Sequence, residues 1–322
     1  MAYRFKQKEP VSKAIRRLGA ERLAHACECL RDSDHAAAVH CARKDIKKIR
    51  AVARLVRRQL GRKEFRWLTR RLREAATALA APRDAYIKAS ALRTLMAHFK
   101  RQLAPGALRG IRARLRTESS AELTRFAESG SAKAVKKTLG RVGKRWSRLK
   151  VRSTEWKAVR SGVKAAYRQG QRAHQAVLED PSSENFHEWR KRAKDLWYHV
   201  RLLQPIWPEQ MEAMACELET LTEYLGNDHD LVVLRDDAEA HRWGNTRELA
   251  TLNGLIDARQ RALRADALAV GARFYAEAAP TFCDRLAGYW RTWRRERAPR
   301  EASPKSRYTA AFRPPSKRGV AP

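Results

Sequence analysis

Apolar residues recur at the spacing of one helix face along most of the chain. Between residues 11 and 30, for example, Val11, Ile15, Leu18 and Leu23 fall on one side of a helix. Proline, glycine and short polar turns separate the apolar stretches, and no pair of alternating segments indicates a β-hairpin. The predicted fold class is therefore all-α. Helices are predicted at 11–30, 64–79, 84–99, 108–126, 132–149, 156–178, 211–225, 231–243, 246–275 and 281–297, with two more around His40 and His187.

The helices around His40 and His187 carry the same pattern of charge. At about 100° of rotation per residue, the histidine and the cations three, seven and fourteen positions later fall within an arc of about 60°. Apolar residues such as Ile46 and Leu196 point the opposite way, so each helix packs on one side and presents cations on the other. The repeated positions are His40, Arg43, Lys44, Lys47 and Arg54 in the first copy and His187, Arg190, Lys191, Lys194 and Arg201 in the second.

A second pair of segments repeats at nearly the same offset. Residues 79–87 match residues 225–233, and the two segments carry Asp84 and Asp230 at equivalent positions. Two signals at one offset indicate an internal duplication. We therefore expect two pseudo-symmetric helical bundles whose cationic faces meet at one shared surface. Asp84 and Asp230 are interpreted either as caps of the helices that follow them or as groups that orient the arginine and lysine side chains.

The duplication and the local composition divide the chain into four parts. Residues 1–10 form an N-terminal segment that ends at Pro10. The first repeat covers about 11–150 and the second about 156–297, together forming one elongated domain. Residues 298–322 combine proline, glycine and serine with basic residues, which is typical of a disordered tail.

The charge balance points to an anionic partner. Lysine and arginine number 69 against 35 acidic residues, giving a net charge of +34, while 43% of the residues are hydrophobic and suffice for a core. Repulsion of that size is tolerated when nucleic acid, an anionic membrane or another polyanion is nearby. No apolar run is long enough to span a bilayer, and the first nine residues lack an apolar signal core. We expect a cytoplasmic protein without a membrane partner, and the odd count of five cysteines is typical of a reducing compartment.

Neither catalysis nor a metal site is predicted from the motifs. The chain has no phosphate-binding glycine loop, no clustered carboxylates for a divalent metal, and no nucleophile placed beside a histidine. Cys27 and Cys29, with His25, His35 and Cys41 nearby, could suggest zinc. Because residues two apart on a helix diverge by about 200°, we interpret this cluster as packing. We therefore expect no enzyme activity and no cofactor.

The combined motifs resemble the CHAD family, the conserved histidine α-helical domain. They are His40-x-x-Arg43-x-x-x-Lys47-x-x-Arg50, His187-x-x-Arg190-x-x-x-Lys194, the segments ending at Asp84 and Asp230, and Tyr167-Arg168-x-x-x-Arg172. The resemblance covers about residues 3–297 and implies two four-helix bundles related by pseudo-twofold symmetry. It also implies a basic surface that binds inorganic polyphosphate, often at polyphosphate granules and with granule proteins as further partners. The Glu-x-Glu-x-Lys strand of the CYTH domain, to which many relatives are fused, is absent.

The second repeat departs from the first at three positions, two of which reduce its charge. Gly226 stands where the first repeat has alanines, His229 stands where it has Arg83, and Trp197 stands where it has Arg50. The two halves are therefore expected to contribute unequally to binding.

These observations lead to three functional hypotheses. Polyphosphate binding without catalysis ranks first, because rows of cations about 5 Å apart, one helical turn, match a flexible chain of phosphates. Nucleic-acid binding is the alternative suggested by net charge alone, and a phosphohydrolase ranks third. The residues expected to bind phosphate are His40, Arg43, Lys44, Lys47, Arg50, Arg54, Arg168, Arg172, His187, Arg190, Lys191, Lys194 and Arg201.

Overall fold

A computed structural model describes residues 3–296, and within that range the chain is all-α, as predicted. Helices account for 83% of the described residues, and no strand occurs among them. None of the described helices is both long and apolar enough to cross a membrane. The predicted tail at 298–322 lies outside the described residues.

The helices follow one another with short connections. In chain order they are α1 (Val11–Cys29), α2 (His35–Leu55), α3 (Arg57–Leu60), α4 (Arg62–Thr77), α5 (Ala80–His98), α6 (Arg109–Glu128), α7 (Ser131–Trp146), α8 (Glu155–Glu179), α9 (Ser183–Leu203), α10 (Pro208–Ala240), α11 (Thr246–Phe274) and α12 (Ala279–Arg295). A single 3₁₀ turn, Gln204–Ile206, connects α9 to α10.

The two histidine-containing helices, α2 and α9, begin at polar capping residues. The Asp34 carboxylate accepts hydrogen bonds from the first backbone amides of α2, and the Ser182 hydroxyl accepts one from Asn185 N at the start of α9. These caps satisfy amides that have no partner within the helix. The turn residues before the two helices therefore fix where each cationic face begins.

The predicted breaks before Asp84 and Asp230 are wrong. Helix α5 already begins at Ala80, so Pro82 lies in its first turn, where the missing amide hydrogen costs little. Helix α10 runs without interruption through Gly226, and the buried carboxylate of Asp228 within it accepts hydrogen bonds from α11. Asp84 and Asp230 therefore lie inside helices and cap neither of them.

Apolar packing forms two clusters that differ from the two sequence repeats. The larger one includes α1, α2, α4, α7, α8, α9, α12 and the first half of α10, with Ile46 and Leu196 fully buried. The smaller one joins α5 and α6 to α11 and the second half of α10, and includes Leu92 and Leu252. Both clusters draw residues from both repeats, so the division into two separate bundles stays a prediction.

Helices α2 and α9 pack against each other near the middle of the fold. His199 Nε2 lies 3.0 Å from the Ala51 carbonyl oxygen, and the Arg54 guanidinium forms an ion pair with Asp195 across the same interface. The amide of Phe5 donates a hydrogen bond of 3.0 Å to the carbonyl of Leu202, which ties the N-terminal segment to α9. This packing brings the two copies of the duplicated helix side by side.

Candidate anion-binding site

The cations of α2 and α9 lie beside one another and beside the start of α5. Lys47 on α2 is close enough to feel the positive charges of Arg190 and Lys194 on α9 and of Arg83 on α5. The pairing of α2 with α9 thus places the two predicted cationic faces on one surface. We call this set the central cationic surface: His40, Arg43, Lys44, Lys47, Arg83, His187, Arg190, Lys191 and Lys194.

Two lysines of the central cationic surface are electrostatically strained. Loss of hydration, followed by the charges of Arg190 and Arg43, lowers the pKa of Lys47 to about 8, although its side chain keeps an exposed surface. The half-buried Lys194 has its pKa lowered to about 8 by desolvation and by Arg190, against the opposing effect of Glu219. In both cases desolvation is the largest cause, and repulsion from neighbouring cations adds to it. The positive charges of α2 and α9 therefore lie close enough to repel one another.

Arg190 and Arg43 are held in place by acceptors on neighbouring helices. The Arg190 guanidinium lies 4.0 Å from the Asp230 carboxylate on α10, and Arg43 Nη1 donates a hydrogen bond of 2.7 Å to the carbonyl of Ala76 at the end of α4. Burial raises the pKa of Asp230, while Arg190 and Arg83 lower it. Of the two roles considered for Asp230, this geometry supports orientation of the arginines.

Asp84 lies among cations of the first repeat, as Asp230 does among those of the second. Desolvation raises the pKa of its carboxyl group, while Arg43, Lys88 and Arg83 lower it. Asp84 and Asp230 also repel each other electrostatically, which places both carboxylates at the same end of the central cationic surface. They balance only part of its charge.

The histidines that define the repeat differ from each other in exposure. His40 is exposed, and desolvation together with Arg83 lowers its pKa. His187 is half-buried, with its ring 4.0 Å from that of His229 on α10, and its buried Nδ1 has no hydrogen-bond partner among the described residues. Desolvation and Arg190 lower the pKa of His229 to about 3. These rings are neutral at pH 7 and can serve as hydrogen-bond donors to an anion.

Towards the C-terminal ends of α2 and α9, an acid or an aromatic ring contacts the cations. Arg54 is paired with Asp195, and Asp195 also acts electrostatically on Arg50, so both arginines are partly neutralised. Arg201 lies over the Trp197 ring at 4.7 Å, and Lys194 lies over the same ring at 4.1 Å. Trp197 therefore supports cations of the second repeat at the position where the first repeat has Arg50.

Arg168 and Arg172 are exposed on α8, which packs against α9 and α12. Tyr167 between these helices is buried, stacks on Phe282 at 4.1 Å between ring centroids, and donates a hydrogen bond of 2.8 Å to the Glu277 carbonyl. The tyrosine of that motif is therefore structural. No described contact joins Arg168 or Arg172 to the central cationic surface.

The sequence-based list of binding residues omits Arg83 and His229. Arg83 stands between the two faces, since it acts electrostatically on His40, Arg43 and Lys47 in the first repeat and on Asp230 in the second. Arg83 and Asp230 also line a small pocket of about 110 Å³ between α5, α10 and α11. The available signal was the alignment of Arg83 with His229 in the duplicated segments, which marks both positions as facing the same surface.

Comparison with known proteins agrees with this architecture. The CHAD domain family matches residues 13–239, well over half of the chain. A crystal structure of the CHAD domain from the plant Ricinus communis superposes with a TM-score of 0.66 at 17% identity, covering 86% of this chain and 96% of the plant chain. No curated protein matches the sequence. On the family match and the shared fold, this chain belongs to the CHAD domain family.

Proposed function

We propose that the protein binds inorganic polyphosphate, without catalysis, through the central cationic surface. The observation that carries the proposal is the side-by-side placement of two cationic helix faces. The acids near them, such as Glu188 beside Lys191 and Glu219 near Lys194, balance only part of the positive charge. Lys47 and Lys194, one from each repeat, both have pKa values lowered to about 8 by desolvation and neighbouring cations. A bound polyanion would supply the missing negative charge to both repeats at once.

Polyphosphate suits this surface for physical reasons. It carries about one negative charge per phosphate, is flexible, and has no bases to read, so density of cations matters more than exact geometry. Cations separated by one helical turn are about 5 Å apart, and each neutralised phosphate releases condensed counterions. Arg43 and Arg190, already oriented by acceptors on neighbouring helices, can make forked contacts with phosphate oxygens. The exposed ring of His40 adds a further hydrogen-bond donor.

The first experiment changes charge at the centre of the surface. The Lys47→Glu/Lys194→Glu variant is compared with Lys133→Glu/Lys157→Glu, which makes the same change of charge at two exposed lysines on α7 and α8. Binding of end-labelled long-chain polyphosphate is followed by fluorescence anisotropy, and helix content by circular dichroism.

The central variant is expected to raise the dissociation constant by about 100-fold or more, because it replaces two attractions by two repulsions. The control should change it by less than about threefold, through net charge alone. Equal losses in both variants, with folding intact, would show that binding depends on overall charge and would refute the assignment of the surface.

A second experiment identifies the polyanion. Unlabelled DNA, RNA and polyphosphate compete for the protein at equal phosphate concentration, and polyphosphate is expected to compete best. Stronger competition by either nucleic acid would favour the alternative function. Incubation of polyphosphate with Mg²⁺ or Mn²⁺ should release no orthophosphate, and metal-dependent release would refute the non-enzymatic assignment.

We also propose a cytoplasmic location at polyphosphate granules, since a non-catalytic binder of long chains would accumulate where they are concentrated. A fluorescent fusion of the wild-type chain should overlap with stained granules, and the Lys47→Glu/Lys194→Glu fusion should be diffuse. Equal overlap of both fusions would contradict recruitment through the central cationic surface.

A further inference from the structure

A cluster of side chains that can bind a metal lies at the loop end of the α1–α2 hairpin, next to His40 but made of residues outside the central cationic surface. It consists of His25, Cys29, Cys41 and Asp45, and one donor atom from each lies within 4.8 Å of the others. His25 and Cys29 are four residues apart on α1, and Cys41 and Asp45 are four residues apart on α2. Residues with this spacing lie on one helix face, so each helix contributes two donors towards the other.

The spacing of these donors fits a tetrahedral zinc ion. With Zn–S of about 2.3 Å and Zn–N of about 2.0 Å, sulfur and nitrogen ligands are about 3.5 Å apart. The Sγ atoms of Cys29 and Cys41 lie 3.5 and 3.8 Å from His25 Nδ1. The same nitrogen contacts Asp45 Oδ2 directly. The two sulfur atoms therefore already lie at ligand spacing from the histidine nitrogen, whereas the Asp45 carboxylate must move away from the ring to admit an ion.

The charges next to the cluster also suit a bound dication. Two thiolates and one carboxylate carry three negative charges, of which Zn²⁺ balances two. The Asp45 side chain is buried and contacts Arg22 Nη1 at 3.4 Å and Lys48 Nζ at 3.2 Å, and these two cations more than balance the one negative charge that remains. Such contacts also fix the carboxylate that would bind the metal. His25 keeps about half of its side chain exposed, which leaves a path for the ion.

We propose that the reduced protein binds one Zn²⁺ through His25 Nδ1, the Cys29 and Cys41 thiolates and the Asp45 carboxylate. Four protein ligands close the coordination shell, so the ion is structural. It holds the C-terminal end of α1 to the beginning of α2, immediately beside His40. The two thiols release their protons when the metal binds.

The same two cysteines are joined as a disulfide in the structure, with Cα atoms 5.9 Å apart. Disulfide and metal exclude each other, since both use the same sulfur atoms. In the reduced protein the thiolates can turn about their Cα–Cβ bonds to reach the separation of about 3.8 Å that two zinc-bound sulfurs require. The zinc form therefore belongs to the reducing conditions that the cysteine count suggested.

The test uses the full chain reduced with a phosphine and freed of metal by chelation. Titration with Co²⁺ is followed by the thiolate-to-cobalt charge-transfer band and by the visible bands of tetrahedral cobalt. Zinc stoichiometry is measured by native mass spectrometry, and zinc affinity by competition with a chromogenic chelator. The variants are Cys29→Ser, Cys41→Ser and the exposed His25→Ala, with Cys27→Ser as the matched control.

We expect one zinc per chain, a loss of affinity of at least about tenfold in each of the three ligand variants, and no change in Cys27→Ser. Circular dichroism separates loss of a ligand from misfolding. His25→Ala is expected to keep the fold, because about half of the His25 side chain is exposed. The proposal is overturned if the reduced wild-type chain gives no tetrahedral cobalt spectrum, or if Cys27→Ser lowers affinity as much as Cys29→Ser.

Discussion

Replacement of Lys194 by methionine should stabilise the protein while weakening polyphosphate binding. Methionine keeps the length of the side chain and removes the charge. Desolvation and Arg190 lower the pKa of Lys194 from 10.5 to about 8, so keeping the ammonium charged in the unliganded fold has a free-energy cost. At about 1.4 kcal/mol per unit of pKa, the full cost is about 3 kcal/mol.

The measurable gain is smaller than this upper value. Lys194 is only half-buried, and its loss also removes the contact with the Trp197 ring and a hydrogen bond of 3.2 Å to the Thr222 hydroxyl. We therefore expect the free energy of unfolding at pH 7 to rise by about 1–2 kcal/mol, equivalent to a melting temperature about 2–4 °C higher. Polyphosphate affinity should fall by about tenfold.

The pH dependence gives a sharper check. Below pH 8 Lys194 is charged in both the folded and the unfolded chain, so the wild-type fold is destabilised by the full free energy of keeping the ammonium charged. Between pH 8 and 10.5 the unfolded chain binds more protons, so wild-type stability rises with pH and the advantage of Lys194→Met disappears.

Thermal unfolding of wild type and Lys194→Met is measured from pH 7 to 10.5 in low salt without phosphate. Lys157→Met, at an exposed position on α8, serves as the control and should leave stability unchanged. If Lys194→Met lowers the melting temperature at pH 7, the lysine is not under electrostatic strain and the reasoning fails.

Three further predictions concern packing and pH. Gly162→Ala should cost about 3 kcal/mol in chemical unfolding, because a Cβ there would lie 2.0 Å from the Leu55 carbonyl oxygen. Arg54→Met should cost about 2–3 kcal/mol at pH 7, because it leaves the Asp195 carboxylate without its partner. The free energy of unfolding should decrease as pH falls from 6.5 towards 3, because desolvation lowers the pKa of His229 in the folded protein to about 3 and the unfolded chain then binds more protons. His229→Gln should make the free energy of unfolding less dependent on pH in this range.

These predictions have internal controls. Gly143→Ala, where the nearest atom is 3.9 Å from the new Cβ, should be neutral or slightly stabilising. A Gly162→Ala protein as stable as wild type would contradict the close approach of α2 and α8. The cost of Arg54→Met should shrink at acid pH as Asp195 becomes protonated, and a constant cost would contradict the ion pair. If His229→Gln leaves the loss of stability between pH 6.5 and 3 unchanged, other titratable groups cause that loss.

The positions of the helices could be predicted from the sequence because amphipathic periodicity and polar caps are local properties. The ends of α1, α8 and α11 lie within a few residues of the predicted ones. The sequence misled at Asp84 and Asp230, where proline and glycine resembled breaks. At Pro82 the reason is local, because proline is tolerated in the first turn of α5. At Gly226 tertiary contacts support the continuous α10 helix, since side chains of α11 donate hydrogen bonds to Asp228.

Other features depended on distances that no sequence pattern contains. The sequence analysis interpreted the cysteines and histidines near α1 as packing because it compared Cys27 with Cys29. The clustered donors instead come from both helices, with Cys41 facing Cys29 across the hairpin. Asp195 was not expected to neutralise Arg54, since the two lie on different copies of the repeat. Arg83 belongs to the central cationic surface because α5 packs against α2 and brings Arg83 near Lys47.

The sequence by itself determined the helical class, the excess of cations and the placement of some of them on one face of two duplicated helices, because each follows from composition or from a period of 3.6 residues. Only the tertiary structure decided that these faces lie side by side. It also decided which cations are neutralised, as Arg54 is, and which are left strained, as Lys47 and Lys194 are. Charge balance depends on distance and hydration, and both are set only when α2, α5, α9 and α10 pack together.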